Sequence, residues 1–135
     1  MTKRQIEKDQ KALWKFIENM KQEKGKHAVQ IVPYGEALVH EYYWQALAKL
    51  SQIATQEYTG CQTNLSFSVE KMLGIYEQYQ GRIEKIRLWC TFHPARTTVA
   101  AFVEQCRKLE IAGFSFCVGM VGDPEEIHTL LVLRR

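Results

Sequence analysis

IEKIRLWCTFHPARTTVAAFVEQCRKLEIAG, residues Ile83–Gly113, contains one complete strand-to-helix alternation. Ile83 to Phe92 is rich in β-branched and aromatic residues and stops at His93-Pro94, as a strand does before proline. Thr97 or Thr98 can then cap a helix whose inward residues are Val99, Phe102, Val103, Cys106 and Leu109. Gly113 closes that helix.

The same alternation continues in both directions. After Gly113, Phe114 to Val121 reads as the most apolar strand, and Asp123-Pro124-Glu125-Glu126 reads as a helix start. Asp123 is placed to cap, Pro124 falls at the first helical position and Glu126 completes a capping-box-like pattern, so a last helix is expected over Ile127 to Leu133. Before Ile83, Ser68 can cap a helix carrying Val69, Met72, Leu73 and Tyr76, and Gly60 to Leu65 reads as a weaker strand. Residues 40–57 read as helical through Tyr43, Ala46, Leu47, Leu50 and Ala54. His27 to Val32 is a short β-branched strand ended by Pro33. Residues 3–24 form an amphipathic pattern through Ile6, Leu13, Phe16, Ile17 and Met20, with Gly25 just past the last turn.

The expected organisation is a single α/β domain over 1–135, with a leading helix within 1–27 and four βα units over 28–135. Strands joined by helices of this length pair in parallel. Four such units build either a small open sheet or half of a (βα)₈ barrel, and the pattern leaves both open.

Composition narrows the class. The chain has 135 residues and 15.7 kDa, enough for one domain. Hydrophobic residues are 46% and charged residues 24%, which excludes an intrinsically disordered chain. The net charge of +3 is uneven: residues 1–27 hold eight Lys or Arg against four Asp or Glu. These mixed signs on one helix describe a solvated face more readily than a coherent phosphate-binding stripe, so no nucleic-acid partner is evident from the sequence. No apolar run is long enough to span a bilayer, and MTKRQIEKDQ at the start has no apolar signal region, so a soluble cytoplasmic chain is expected. Cys61, Cys90, Cys106 and Cys117 have neither zinc nor ferredoxin spacing and are expected to be reduced thiols.

In either architecture the working face is the carboxyl rim of the strands. That rim receives Pro33-Tyr34-Gly35-Glu36, Gln62-Thr63-Asn64-Leu65-Ser66, Thr91-Phe92-His93-Pro94 and Gly119-Met120-Val121-Gly122-Asp123. A carboxylate, amides, hydroxyls, an imidazole and glycines form the kit of a small-molecule site. Each residue has a plainer use too: Gly35 as a positive-φ turn, Asn64 and Ser66 as caps, His93 as a loop residue, Gly119 and Gly122 for close packing. No nucleophile elbow and no phosphate-binding P-loop occur in the sequence.

These junctions resemble the middle of the radical S-adenosylmethionine (radical SAM) enzyme core. Pro33-Tyr34-Gly35-Glu36-Ala37 is similar to that family's Gly-Gly-Glu segment, with Tyr34 replacing the first Gly. The resemblance implies that Tyr34, Gly35 and Glu36 receive the amino group of the ligand's methionine moiety. It implies that Thr63, Asn64, Ser66, Thr91 and His93 serve ribose or carboxylate. Cys117 to Glu125 resembles the G-x-I-x-G-x-x-E segment, so that Gly119, Val121 and Gly122 would line the adenine slot, although Gly119 stands one position too close to Gly122. It further implies a half-TIM-barrel-like fold and S-adenosylmethionine as cofactor.

The family's C-x-x-x-C-x-x-C loop for a [4Fe–4S] cluster does not occur in the sequence. The chain therefore reads as part of such a core, with the cluster expected only if a missing upstream segment supplies its cysteines. Alone, it is not expected to catalyse reductive cleavage. The alternative reading is a non-enzymatic α/β binding or assembly module that pairs as a homodimer.

Overall fold

The computed structural model describes residues 2–33 and 35–120. Tyr34, Val121, Gly122, the Asp123 helix start and the expected last helix lie outside the described residues.

Each helix begins where a side chain can satisfy its first free N–H groups. Helix α1 (Lys3–Gln22) opens with a reciprocal capping box between Thr2 and Gln5. Helix α2 (Glu41–Ser51) follows a 3-10 turn over Ala37–Val39, α3 (Val69–Gln78) is capped by Ser68, and α4 (Val99–Ala112) by Thr98. Gly113 ends α4 in the left-handed conformation, φ 90°, as a C-terminal glycine does.

The strands are β1 (His27–Ile31), β2 (Gln56–Thr63), β3 (Ile86–Phe92) and β4 (Ser115–Met120). They form one sheet in the order β1-β2-β3-β4, every neighbouring pair parallel. The expected α/β class, leading helix and four-stranded parallel sheet are therefore present.

Several boundaries differ from expectation. The helix expected to reach residue 57 ends at Ser51, and β2 starts at Gln56 instead of Gly60. Ser51 Oγ donates to Ala48 O and accepts Arg82 N–H, and Ile53 turns back into a small core with Ile17, Ala46 and Leu50. Ile53 and Ala54 keep a helical apolar spacing, but tertiary burial ends the helix before them. Likewise Ile83–Lys85 forms a 3-10 turn, so β3 begins only at Ile86.

Side chains alternate across the sheet. Val29 and Ile31, Cys61, Leu88 and Cys90, and Phe116 point to the helices, where Trp44, Leu47, Tyr76, Phe102 and Leu109 complete the core. Trp44 packs edge-on against Phe67, Tyr76 and Phe114, and its indole N–H donates to Leu38 O at 2.9 Å. All four helices of the described residues thus cover one face. The other face shows Ala28, Gln30, Arg87, Trp89, Ser115 and Cys117 exposed, although parallel sheets are ordinarily covered on both sides.

Helix α1 docks through Ile17 and a polar link: the hydroxyls of Tyr42 and Tyr43 both donate to Asp9 Oδ2 at 2.8 Å.

Candidate functional site

The carboxyl ends of β1, β2 and β3 surround a cleft of ≈ 250 Å³. Six expected residues line it: Gly35, Glu36, Thr63, Asn64, Thr91 and His93. Pro33 and Gln62, from the rim segments read in the sequence, line it as well, and so does Arg96, which was not among them.

Glu36 organises this rim. Gly35, at φ +71°, turns the chain out of β1 and delivers Glu36 toward the end of β2. Glu36 Oε1 accepts the Thr63 hydroxyl at 2.6 Å and the Leu38 N–H at 3.3 Å, while Oε2 accepts the Asn64 N–H at 2.6 Å. An ionised carboxylate has about four acceptor positions, so one remains. Its charge also acts behind the rim: burial first, then Glu36, pushes the Cys61 thiol up to about 12.

The loop after β2 is held in an uncommon shape. Leu65 is buried at φ 62°, a region few bulky residues occupy. Its N–H donates to Thr63 Oγ1, Ser66 N–H donates to Asn64 Oδ1, and the Gln105 amide donates to both Leu65 O and Phe67 O. Asn64 is left with its side-chain NH₂ to donate toward the cleft.

After β3, the N–H groups of Arg96 and Thr97 both donate to His93 O, at 2.9 and 3.2 Å. This turn brings His93 and Arg96 to one side of the cleft. A second hollow of ≈ 220 Å³ shares Asn64, His93 and Arg96 with the first and adds Ser66, Thr97 and Gln105. Arg96 is exposed and makes no ion pair among the described residues. The turn geometry that aims Arg96 had no signal in the sequence beyond the Pro94 break.

The remaining expected residues are spread apart. Ser66 belongs to the second hollow, and Gly119 lies on the open face beneath the indole of Trp89. Tyr34, Val121 and Gly122 lie outside the described residues.

The described residues do not fit an iron–sulfur cluster. No group of three or more His, Cys, Asp or Glu among them could hold a metal ion. Cys61 and Cys90 are wholly buried on the helix side, Cys106 is half-buried on α4 and Cys117 is exposed on the opposite face. Burial raises Cys61 to about 12 and Cys106 to about 11, and raises Cys90 as well, which keeps them as protonated thiols, whereas cluster ligands are thiolates.

No helix among the described residues is long and apolar enough to cross a membrane. Comparison of the chain with family models, curated proteins and solved structures finds no match.

Proposed function

We propose that this chain is the ligand-binding part of a radical SAM-type core, taking S-adenosylmethionine at the carboxyl rim of its sheet. The observation that carries this reading is one cleft lined by Gly35, Glu36, Thr63, Asn64, Thr91 and His93, drawn from three adjacent strand ends. Arg96 supplies the cation for the ligand's carboxylate, with His93 beside it. Asn64, Gln62 and Thr91 offer amide and hydroxyl groups to the ribose. Glu36 chiefly fixes Thr63 and Asn64, and its remaining acceptor position meets the ammonium group. A [4Fe–4S] cluster, which in the family supplies the electron for cleavage, would need ligands other than the described residues, and no redox step is assigned to them. The same reading places the chain in the cytoplasm, where thiols such as these four stay reduced.

The test is calorimetric titration of the full chain with S-adenosylmethionine. Saturable binding is expected, weakened about tenfold or more in Arg96→Gln, the loss of one charge-assisted hydrogen bond. Absence of heat at millimolar ligand, or an unchanged affinity in Arg96→Gln, overturns the reading.

A second reading is an assembly module. It is favoured by β1 and β4, each of which pairs on one side only among the described residues and leaves an edge open to another parallel strand. A concentration-independent monomer in sedimentation equilibrium would remove it.

A further inference from the structure

The charges of residues 1–27 are mixed along the chain, and the folded helix sorts them. Of the four carboxylates there, Asp9 is turned inward, where Oδ2 accepts the hydroxyls of Tyr42 and Tyr43 at 2.8 Å. Glu18 Oε1 holds the Lys21 ammonium at 2.8 Å, and Glu23 is the C-terminal cap at the far end. Glu41, on the helix packed against α1, pairs with Lys71 at 3.2 Å. Over residues 3–17 only Glu7 remains among the exposed residues as an acid, and helical spacing places it at one flank of the cations.

Arg4, Lys8, Lys11 and Lys15 follow one another at intervals of four, three and four residues. On a helix that spacing sets them in a single row, about 16 Å long at about 1.5 Å rise per residue. All four are exposed, and none makes an ion pair among the described residues. The row lies opposite Leu13 and Ile17, which dock α1 onto α2. Local stability does not account for it. Like charges three and four residues apart repel, and cations in a first turn that carries no acid oppose the helix dipole.

We propose that this face of α1 is a binding surface for the phosphate backbone of single-stranded nucleic acid, held without regard to base sequence. A cation about every 4–6 Å along the row suits a polymer with one charge per nucleotide, about 3.4 Å apart when stacked and farther when extended. The row contains no aromatic side chain on which a base could stack, so phosphates are what it recognises. An anionic bilayer fits less well. A helix lying on a membrane buries its apolar face there, whereas Leu13, Ile17 and Met20 of α1 are already packed on the domain. None of the four cations lines the rim cleft, so this surface does not depend on what that cleft binds.

The probe is a fluorescein-labelled single-stranded RNA of mixed sequence, about 20 nucleotides long, titrated with the full chain at about 50 mM salt and followed by fluorescence anisotropy. Saturable binding is expected, with log affinity falling against log salt at a slope of about −3 for four phosphate contacts. Lys8 and Lys11 are exposed, so a Lys8→Gln, Lys11→Gln double variant leaves the core intact. It is expected to bind about tenfold more weakly or worse, with the slope reduced to about −1.4. Arg107→Gln, on α4 and outside the row, is expected to bind as the unsubstituted chain does. No binding up to about 0.1 mM chain, a slope near zero, or an unchanged affinity in the double variant overturns the proposal. Tighter binding to phosphatidylserine-containing vesicles than to the RNA, read by cosedimentation, also overturns it and assigns the row to a membrane surface.

Discussion

The carboxylate of Glu36 holds the backbone N–H of Asn64 at 2.6 Å and so ties the end of β1 to the end of β2. The same carboxylate accepts the Thr63 hydroxyl, and Thr63 Oγ1 in turn accepts the Leu65 N–H. The rim is thus set by one short chain of hydrogen bonds before any ligand arrives.

Replacing Glu36 by Gln leaves an oxygen for Thr63 but turns an NH₂ group toward the Asn64 N–H. We expect a destabilisation of about 1–3 kcal/mol, the cost of a charge-assisted bond lost at a part-buried site. Urea unfolding measures it as a lower midpoint at an unchanged slope. An unshifted midpoint would show that the clamp is dispensable.

Alkaline stability should depend on the anchorage of α1. Desolvation, followed by the hydrogen bond from each phenol to Asp9 and the charge of Asp9, raises both Tyr42 and Tyr43 well above the ordinary 10.0. A phenol whose proton is held more tightly in the folded state stabilises it fully below pH 10, and that contribution fades as pH climbs beyond 10 toward the raised value. Urea midpoints between pH 8 and 12 should therefore fall less steeply in a Tyr42→Phe, Tyr43→Phe double variant than in the unsubstituted chain. Parallel slopes would exclude these two groups as the cause.

Two glycines should respond to alanine with opposite signs. Gly74 lies within α3 with open space where a Cβ would go, so Gly74→Ala is expected to stabilise by about 0.5–1 kcal/mol. At Gly81 the Cβ would run into the ring of Tyr76, which is wholly buried and donates its hydroxyl to Arg82 O at 2.7 Å. Gly81→Ala is expected to cost about 1–3 kcal/mol. Thermal unfolding of both variants gives the two shifts directly.

Thiol labelling should read out the sheet's two faces. Cys117 is exposed, whereas Cys61 and Cys90 are wholly buried with raised values. Intact-mass analysis after brief iodoacetamide treatment at pH 8 should find Cys117 modified first, and Cys61 and Cys90 only after denaturation. Early modification of Cys61 or Cys90 would contradict the packing described.

The alternation of strand and helix was legible because it rests on local signals: Ser68 and Thr98 cap the helices expected of them, and Gly113 ends α4. The start of β2 was not legible. Its sequence, QEYTGCQT, has a polar opening, and Gln56, Thr59 and Thr63 are nevertheless buried in the middle of the sheet. Ile53 likewise belongs to a helical pattern but is claimed by a core that forms only once α1 has docked. At the rim the chemical kit could be read from the chain, but its wiring could not. The partners of Glu36 at the end of β2 stand 27 and 28 residues away, and Arg96 reaches the cleft only because its N–H folds back onto the His93 carbonyl.

Because each strand pairs with the strand immediately before it in the chain, no strand has to wait for a later one to fill a gap in the sheet. Contacts of this kind keep loop closure short and allow the βα units to be added one at a time. A growing chain emerging from the ribosome can therefore deposit β2 on β1, then β3 on β2 and β4 on β3, in the order of synthesis. Among the described residues the strand order runs one way, so β2, β3 and β4 join the sheet successively at the edge away from β1.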